Sequence, residues 1–465
     1  MKKILVLILA VLMIFNLAAC SKNAEDNSSK TATSSASNNT QKERSQLEEE
    51  KGVLTVCSAS VSPLLKQAAG RYHELHPEIT IEIKEYLPVK VEKSGNTAVS
   101  KKPSSEDTEK YVNTINTQLI GGTGPDIILV DKALPYYKYI DKNLFVDMNK
   151  LMQADKDFNS DKYFMNIFKA LEYKKGLYTI PTGFYFPMIA AAKDMSNYSD
   201  DQTWSIKDFL AASQKVINES KSKDGFKYIS AMTDSDLFSL FFADSFSQVV
   251  NMEKRSAQFT SNNFINLMKQ CKAASDNNLL GKMTDKSFKP DSKHSLIDFD
   301  LIISAAFMKA STTKSPDNNK TFLHRLPTID GKKSVSFYST DLYAINKNSK
   351  KIKMAWNFIK FLLSNEMQAS EGTTFPVEKE AFKQKEKDSF KFMYKDLSEK
   401  DITELVGKYH NDIVNIISDI NTYSYVDPKI NKILDEEVKA FFMGQKSAEN
   451  TAAAIQNKVN IYLNE

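Results

Sequence analysis

From residue 51 onward the chain alternates between two hydrophobic periodicities. Val53-Leu-Thr-Val-Cys57 is a short apolar run of strand type, and an amphipathic stretch with helical spacing follows over Pro63–His76. Ile79, Ile81 and Ile83 alternate through a second strand, Ile79–Tyr86, and residues 88–107 read as a polar surface insertion. A helix is predicted from Thr108 to Ile120, stopped by Gly121-Gly122, with a buried strand behind it in Asp126-Ile-Ile-Leu-Val130. Further helices are predicted over Ile206–Ile217, with Thr203 as N-cap, and over the apolar run Leu301–Met308. Strands separated by helices predict an α/β fold with a largely parallel sheet. Ligands on such sheets sit at the carboxyl ends of strands, so the turns after Cys57 and after Val130 are where a site is expected.

The first fifty residues follow a different logic. Met1-Lys2-Lys3 is a positive start, and Ile4 to Ala19 is apolar except for Asn16. A membrane span needs about 20 apolar residues; this shorter run fits a secretory signal. Leu17-Ala18-Ala19-Cys20 resembles a bacterial lipobox. That resemblance implies a signal peptide over 1–19, acylation of the Cys20 thiol, and a mature chain held at the extracellular face of a bacterial cell membrane. Two acyl chains, at roughly 0.8 kcal/mol per buried CH₂, give stable anchoring. Residues 21–50 carry Leu47 as their one large apolar side chain and cannot offset their ordering entropy. They read as a flexible tether with an r.m.s. span on the order of 30 Å.

Composition narrows the function. Of 465 residues, 42% are hydrophobic and 26% charged, which excludes a polytopic membrane protein and a wholly disordered chain. The formal charge of +4 rests almost entirely on lysine: Arg44, Arg71, Arg255 and Arg325 are the only arginines. Bidentate reading of phosphates and base edges favours Arg, so no nucleic-acid partner is expected. Gly121-Gly-Thr-Gly124 lacks the Gly-Lys-Ser/Thr of a phosphate loop and reads as a helix stop, with Asp126 as a cap or turn residue. There is no Gly-x-Ser-x-Gly and no His-Glu-x-x-His, and His294, His324 and His410 are scattered. His73 and His76 form an i, i+3 pair without a visible third ligand, so neither a metal nor a cofactor is expected. Cys57 and Cys271 read as buried free thiols, the latter on a helical face with Phe264, Leu267 and Met268. A disulfide between them stays open as an alternative in an extracellular protein. Trp204 and Trp356 read as packing residues, which leaves no tryptophan to stack on a sugar.

The segment 121–152 (GGTGPDIILVDKALPYYKYIDKNLFVDMNKLM) resembles the stretch of glycines, Pro-Asp, apolar strand and aromatic-bearing helix found in extracellular solute-binding proteins related to maltose-binding protein. Tyr178-Thr-Ile-Pro-Thr-Gly183, Thr203-Trp204, Asp341-Leu-Tyr-Ala-Ile-Asn346, Ala355–Ser364 and Val438–Glu449 resemble that family in the same order, over most of residues 51–465. The resemblance implies a two-lobed α/β fold hinged between its lobes. It implies lobe one over 51–180 and 335–392, and lobe two over 185–330 and 393–465. Crossings are implied near Tyr178–Phe186, near Ser334–Tyr338 and near residue 393.

It also implies a role: a monomeric receptor that captures a solute, expected to be a carbohydrate, between the lobes and delivers it to ABC permease subunits. The ligand contacts it implies are Ser58 and Ser60 after the first strand, Asp131 and Lys132 after Val130, Phe184, Tyr185 and Phe186 entering lobe two, and Tyr338 and Asp341 on the return. Two departures stand out. Ala191-Ala-Lys-Asp194 replaces a Tyr-Asn-Lys-Asp of many relatives, and Lys309-Ala-Ser311 stands where relatives often have Trp. Both point away from a long, Trp-stacked oligosaccharide. A thiamine-degrading enzyme is known on this general fold, so Cys57 is the nucleophile an enzymatic alternative would use. A sensor lipoprotein without transport is the third reading.

Overall fold

The computed structural model describes residues 51–88, 90–94, 97–101, 103–198, 200, 203–220, 228–281, 295–311, 321–339, 341–370 and 374–465. The leader, Cys20, the tether and His294 lie outside the described residues. No helix among the described residues is long and apolar enough to cross a membrane.

Two sheets organise the body from Lys51 to Glu465. The first contains β1 (Gly52–Ser58), β2 (Ile79–Glu85), β3 (Ile127–Val130), β4 (Ile180–Pro181) and, much later in the chain, Leu342–Ile345. β1 runs parallel to β2 from Gly52↔Ile79 to Ser58↔Glu85, and parallel to β3, whose four residues are all buried as expected of a central strand. Leu342–Ile345 is antiparallel to both β3 and β4, so the sheet is mixed where a largely parallel one was predicted. The crossover helices are α1 (Pro63–Leu75) and α2 (Ser105–Ile120). The Ser62 hydroxyl caps α1 by accepting from the Leu65 amide, with Pro63 next in the chain. α2 begins three residues before the predicted Thr108, because Ser104 and Asp107 form a reciprocal capping box. It ends at Gly121 and Gly122 (φ 69°), where the Thr123 amide reaches the Gln118 carbonyl at 3.0 Å and the Gly122 amide the Leu119 carbonyl at 3.2 Å. The expected polar insertion contains a hairpin, Lys90–Ser94 against Thr97–Lys101. Asp126 ties this sheet together: its carboxylate accepts from the Thr55 amide and hydroxyl at 2.9 and 2.8 Å and from the Ser349 hydroxyl at 2.6 Å.

The second sheet is built on β5 (Gly183–Ala191), with β6 (Tyr228–Ala231), β7 (Leu280–Gly281), β8 (Ser295–Ile302), β9 (Ser336–Ser339) and, late in the chain, Thr422–Tyr423. Calling Leu342–Ile345 β10 and Thr422–Tyr423 β11, the two orders are β2-β1-β3-β10-β4 and β7-β6-β8-β5-β9-β11. Leu301 and Ile302 complete β8, opposite Pro187 and Phe186, and a helix starts only at Ala305. The predicted helix over Leu301–Met308 thus begins as strand, because pairing on β5 decides a short apolar run that periodicity leaves ambiguous. The helix α3 (Ile206–Glu219) is capped by Ser205 with Asp208, and not by Thr203. Trp204 is buried just outside it, its indole donating to the Arg325 carbonyl at 3.1 Å, and Trp356 donates to Asp155 at 2.8 Å. Both tryptophans are packing residues.

One core surrounds the first sheet, including Leu54, Val56, Ile127 and Phe358. The other holds a phenylalanine cluster, Phe209, Phe238, Phe241, Phe242 and Phe264, behind the second. Cys57 belongs to the first core and Cys271 to the second; both are free thiols.

The sheets are joined by two strands lying side by side. β4 passes into β5 through Thr182, and β9 returns toward β10 past Asp341. This second passage lies a few residues beyond Ser334–Tyr338. The Thr182 amide donates to the Asp341 carbonyl at 3.2 Å, and the Ser339 hydroxyl to the Gly183 carbonyl at 2.8 Å. Gly183 keeps the packing close there: a Cβ would stand 2.5 Å from the Thr374 hydroxyl, which would have to turn away.

Candidate functional site: the junction between the two sheets

The carboxyl end of β3 delivers Asp131 to the junction. Its carboxylate accepts from the Ala133 amide at 2.7 Å and the Tyr111 hydroxyl at 2.8 Å, so the turn and the side chain fix each other. Burial pushes the Asp131 carboxyl above its ordinary range, against the pull of those hydrogen bonds. Lys132 points to solvent. A short helix, Tyr136–Asp141, then presents Tyr136 and Tyr137, whose rings stack at 4.2 Å.

The joining strands supply the next pair. Tyr185 of β5 lies opposite Tyr338 of β9, and their rings stack at 5.4 Å with 19° between planes. Burial raises both phenols, Tyr338 to about 12. From the far end of the chain, β11 adds Tyr423, with Tyr425 just beyond it. Tyr425 packs edge-on against Tyr136 and Tyr137 at 4.8 and 5.4 Å. The Tyr423 phenol is pushed up by burial and then by Tyr137, Tyr185 and Asp131, which are its electrostatic neighbours. Rings and a carboxylate from segments nearly 300 residues apart in sequence therefore meet in one place. Such a set offers faces for the C–H side of a sugar ring and acceptors for its hydroxyls.

Three expected residues, Asp131, Tyr185 and Tyr338, come together here. The others do not. Strand pleating puts Phe184 and Phe186 on the face opposite Tyr185. There they are fully buried, Phe184 edge-on to Phe337 at 6.4 Å and Phe186 stacked on Phe375 at 5.6 Å. Ser58 is also buried, its hydroxyl donating to the Ser60 carbonyl at 2.5 Å, while the Ser60 side chain faces solvent. Asp341 is buried in the joining strands and accepts from the Ser62 hydroxyl at 2.8 Å, which links the start of α1 to the passage. The residues that sequence reading missed are Tyr137, Tyr423 and Tyr425. The alternation Thr422-Tyr-Ser-Tyr-Val426 between two long helices was the available signal for the last two.

Cys57 does not reach this site. Its side chain is fully buried, and burial, with the Asp131 charge second, pushes the thiol up to about 12. A thiol held protonated in a core is not a nucleophile. His73 is engaged with the Ile79 carbonyl at 2.7 Å, and no group of three His, Cys, Asp or Glu side chains among the described residues is arranged to hold a metal. A separate groove of about 450 Å³, lined in part by Tyr72, Phe158, Tyr163 and Phe361, contains none of the junction residues.

This architecture is that of two-lobed α/β binding proteins, and solved structures share it. A sugar-binding protein from Xanthomonas citri superposes with a TM-score of 0.59 at 11% identity, covering 89% of this chain and 98% of its own. An ABC substrate-binding protein from Listeria monocytogenes in complex with cycloalternan gives 0.54 at 15% identity, over 89% and 100% of the two chains. The maltose-bound MalE3 of T. maritima gives 0.52 at 16%, over 88% and 99%. No curated protein sequence matches. The family model described as bacterial extracellular solute-binding protein matches residues 59–369. The chain belongs to that family.

Proposed function

We propose that this chain is the solute receptor of an ABC importer, tethered outside the cell by an acylated Cys20, and that its solute is a carbohydrate. The observation that carries the reading is the gathering of Tyr137, Tyr185 and Asp131 about Tyr423, with Tyr338 stacked on Tyr185 and contributions from both sides of the joining strands. In this reading lobe one is 51–180 with 335–392, lobe two is 185–330 with 393–465, and hinge closure traps the solute between them. The protein acts as a monomer and hands its cargo to the permease subunits. Tyrosine rings stack on a sugar of modest length, in keeping with two tryptophans that are both committed to packing.

A thermal-shift screen against sugars, polyamines, peptides and vitamins tests the solute class. A ligand at 100-fold its Kd adds about 2.7 kcal/mol to stability, so a melting shift of several degrees is expected with at least one sugar. A shift from another class, with none from sugars, rejects the carbohydrate assignment. Loss of membrane association on Cys20→Ala tests the anchor.

A further inference from the structure

The second sheet carries a set of buried polar atoms without partners next to the junction. On helix α4 (Asp234–Val249), Asp244, Ser245 and Gln248 lie close together beside the buried Phe241, Phe242 and Phe246. Asp244 is 2% exposed, and its Oδ1, the Ser245 hydroxyl and the Gln248 Oε1 are all buried without a hydrogen-bond partner. The Ser336 hydroxyl of β9 is buried as well. Ser336 and Tyr338 share one face of β9, and Asp244 lies against that face: its charge raises the Tyr338 phenol, and the Ser336 hydroxyl eases its own carboxyl. The Ser424 hydroxyl, beside Tyr423, donates to the Ala243 carbonyl at 3.3 Å and ties this turn of the helix to the aromatic group. Buried polar groups are almost always hydrogen-bonded. Three unsatisfied atoms lie close together on this helix, and Asp244 among them faces Tyr338; they call for an occupant that supplies donors.

We infer that Asp244, with Ser245, Gln248 and Ser336, forms a recess behind Tyr338 that receives a neutral, hydroxyl-bearing part of the solute and rejects a carboxylate in its place. This rests on the carbohydrate reading above. Asp244 and the Gln248 oxygen are acceptors that ring hydroxyls can satisfy. An acidic sugar would bring its negative charge against Asp244, with Asp131 a second carboxylate at the junction.

The test uses the full chain with two probe sets: the neutral sugars galactose, maltose and cellobiose, and the uronates galacturonate and glucuronate. Melting shifts and calorimetric titration are read for wild type, Asp244→Asn and Ser336→Ala. The expected result is a shift with at least one neutral sugar and none with the uronates. Affinity for that sugar should fall tenfold or more in Asp244→Asn and severalfold in Ser336→Ala, while the solute-free variants melt no lower than wild type. Wild-type binding of a neutral sugar that neither variant weakens, as when water fills the recess, overturns the recess and leaves the carbohydrate reading standing. Binding of a uronate as tight as that of its neutral counterpart overturns the charge selection. A wild-type chain that no sugar stabilises overturns the carbohydrate reading and the recess together.

Discussion

Asp244 shows what a single buried residue contributes. Desolvation raises its carboxyl from the ordinary 3.8 to about 6, with Ser336 offsetting only part of the effect. The folded state therefore holds this proton more tightly than the unfolded chain, and stability falls as pH rises from about 4 through about 6. Above that window the ionised carboxylate costs roughly 3 kcal/mol. Asp244→Asn should remove this slope: chemical denaturation should find the solute-free variant more stable than wild type at pH 7.5, with the difference shrinking toward pH 4. An equal difference at both pH values would show that ionisation of Asp244 is not the cause. A residue that destabilises the empty protein and strengthens binding is a familiar signature of function. Asp131 titrates with the same sign, raised by burial, but its hydrogen bonds to Ala133 and Tyr111 counter the effect. Tyr185→Ala should weaken solute binding by about 1–3 kcal/mol, from lost stacking and burial, whereas Phe186→Ala should chiefly lower the melting temperature by opening a core cavity. Titration calorimetry and melting of the two variants separate these outcomes.

At the scale of elements, the most exacting contact joins two helices, α8 (Lys379–Met393) and α9 (Glu399–Asp419), where α5 (Asn262–Asp276), α6 (Ala305–Ser311) and α7 (Ile352–Leu362) precede them in the chain. The His410 Nδ1 lies 2.7 Å from the Glu386 carboxylate, whose side chain is almost fully buried and whose other oxygen has no partner. Removing the imidazole leaves a buried carboxylate unpaired, a change that costs about 3–5 kcal/mol. His410→Ala should destabilise the chain by that order in urea unfolding, with Glu386→Gln/His410→Ala recovering much of the loss; no recovery would place the cost in packing against Phe382 instead. The elements also show what periodicity could convey. The strands at 53–57, 79–86 and 126–130 and the helices after them were legible, because each shows its buried face in the spacing and the helices also satisfy their own hydrogen bonds locally. The mixed pairing was not, since β10 joins β3 from over 200 residues away. The placement of Phe184 and Phe186 was legible but unread: three consecutive residues of a strand cannot share a face. Tyr423 was hidden because a two-residue strand carries too little pattern to stand out between long helices.

For the whole molecule, the hinge closure proposed above would be held by contacts across the junction. The Tyr425 hydroxyl donates to the Leu134 carbonyl at 3.1 Å, the Lys138 ammonium sits 3.8 Å from the centre of the Tyr462 ring, and Arg255 lies 3.6 Å from Asp141. Exposed ion pairs contribute up to about 1 kcal/mol and a cation–π contact about 0.5–1 kcal/mol or somewhat more. Such small terms suit a hinge that must also open. Lys138→Ala with Arg255→Ala should shift the solute-free chain toward the separated arrangement, seen as a larger radius of gyration in X-ray scattering, and should weaken solute affinity severalfold. An unchanged scattering profile would remove these contacts from the closure mechanism.

The placement of the two body cysteines has a practical consequence. Cys57 and Cys271 are the only thiols between residues 51 and 465, and both are sealed inside separate cores. Reagents that alkylate cysteine will therefore find little to attack in the native body. A single cysteine placed at the exposed position 132, beside Asp131, would then be the only reactive handle there. An environment-sensitive dye attached through Lys132→Cys would report solute capture as a change in fluorescence, which would turn the receptor into a reagentless optical sensor for its own cargo.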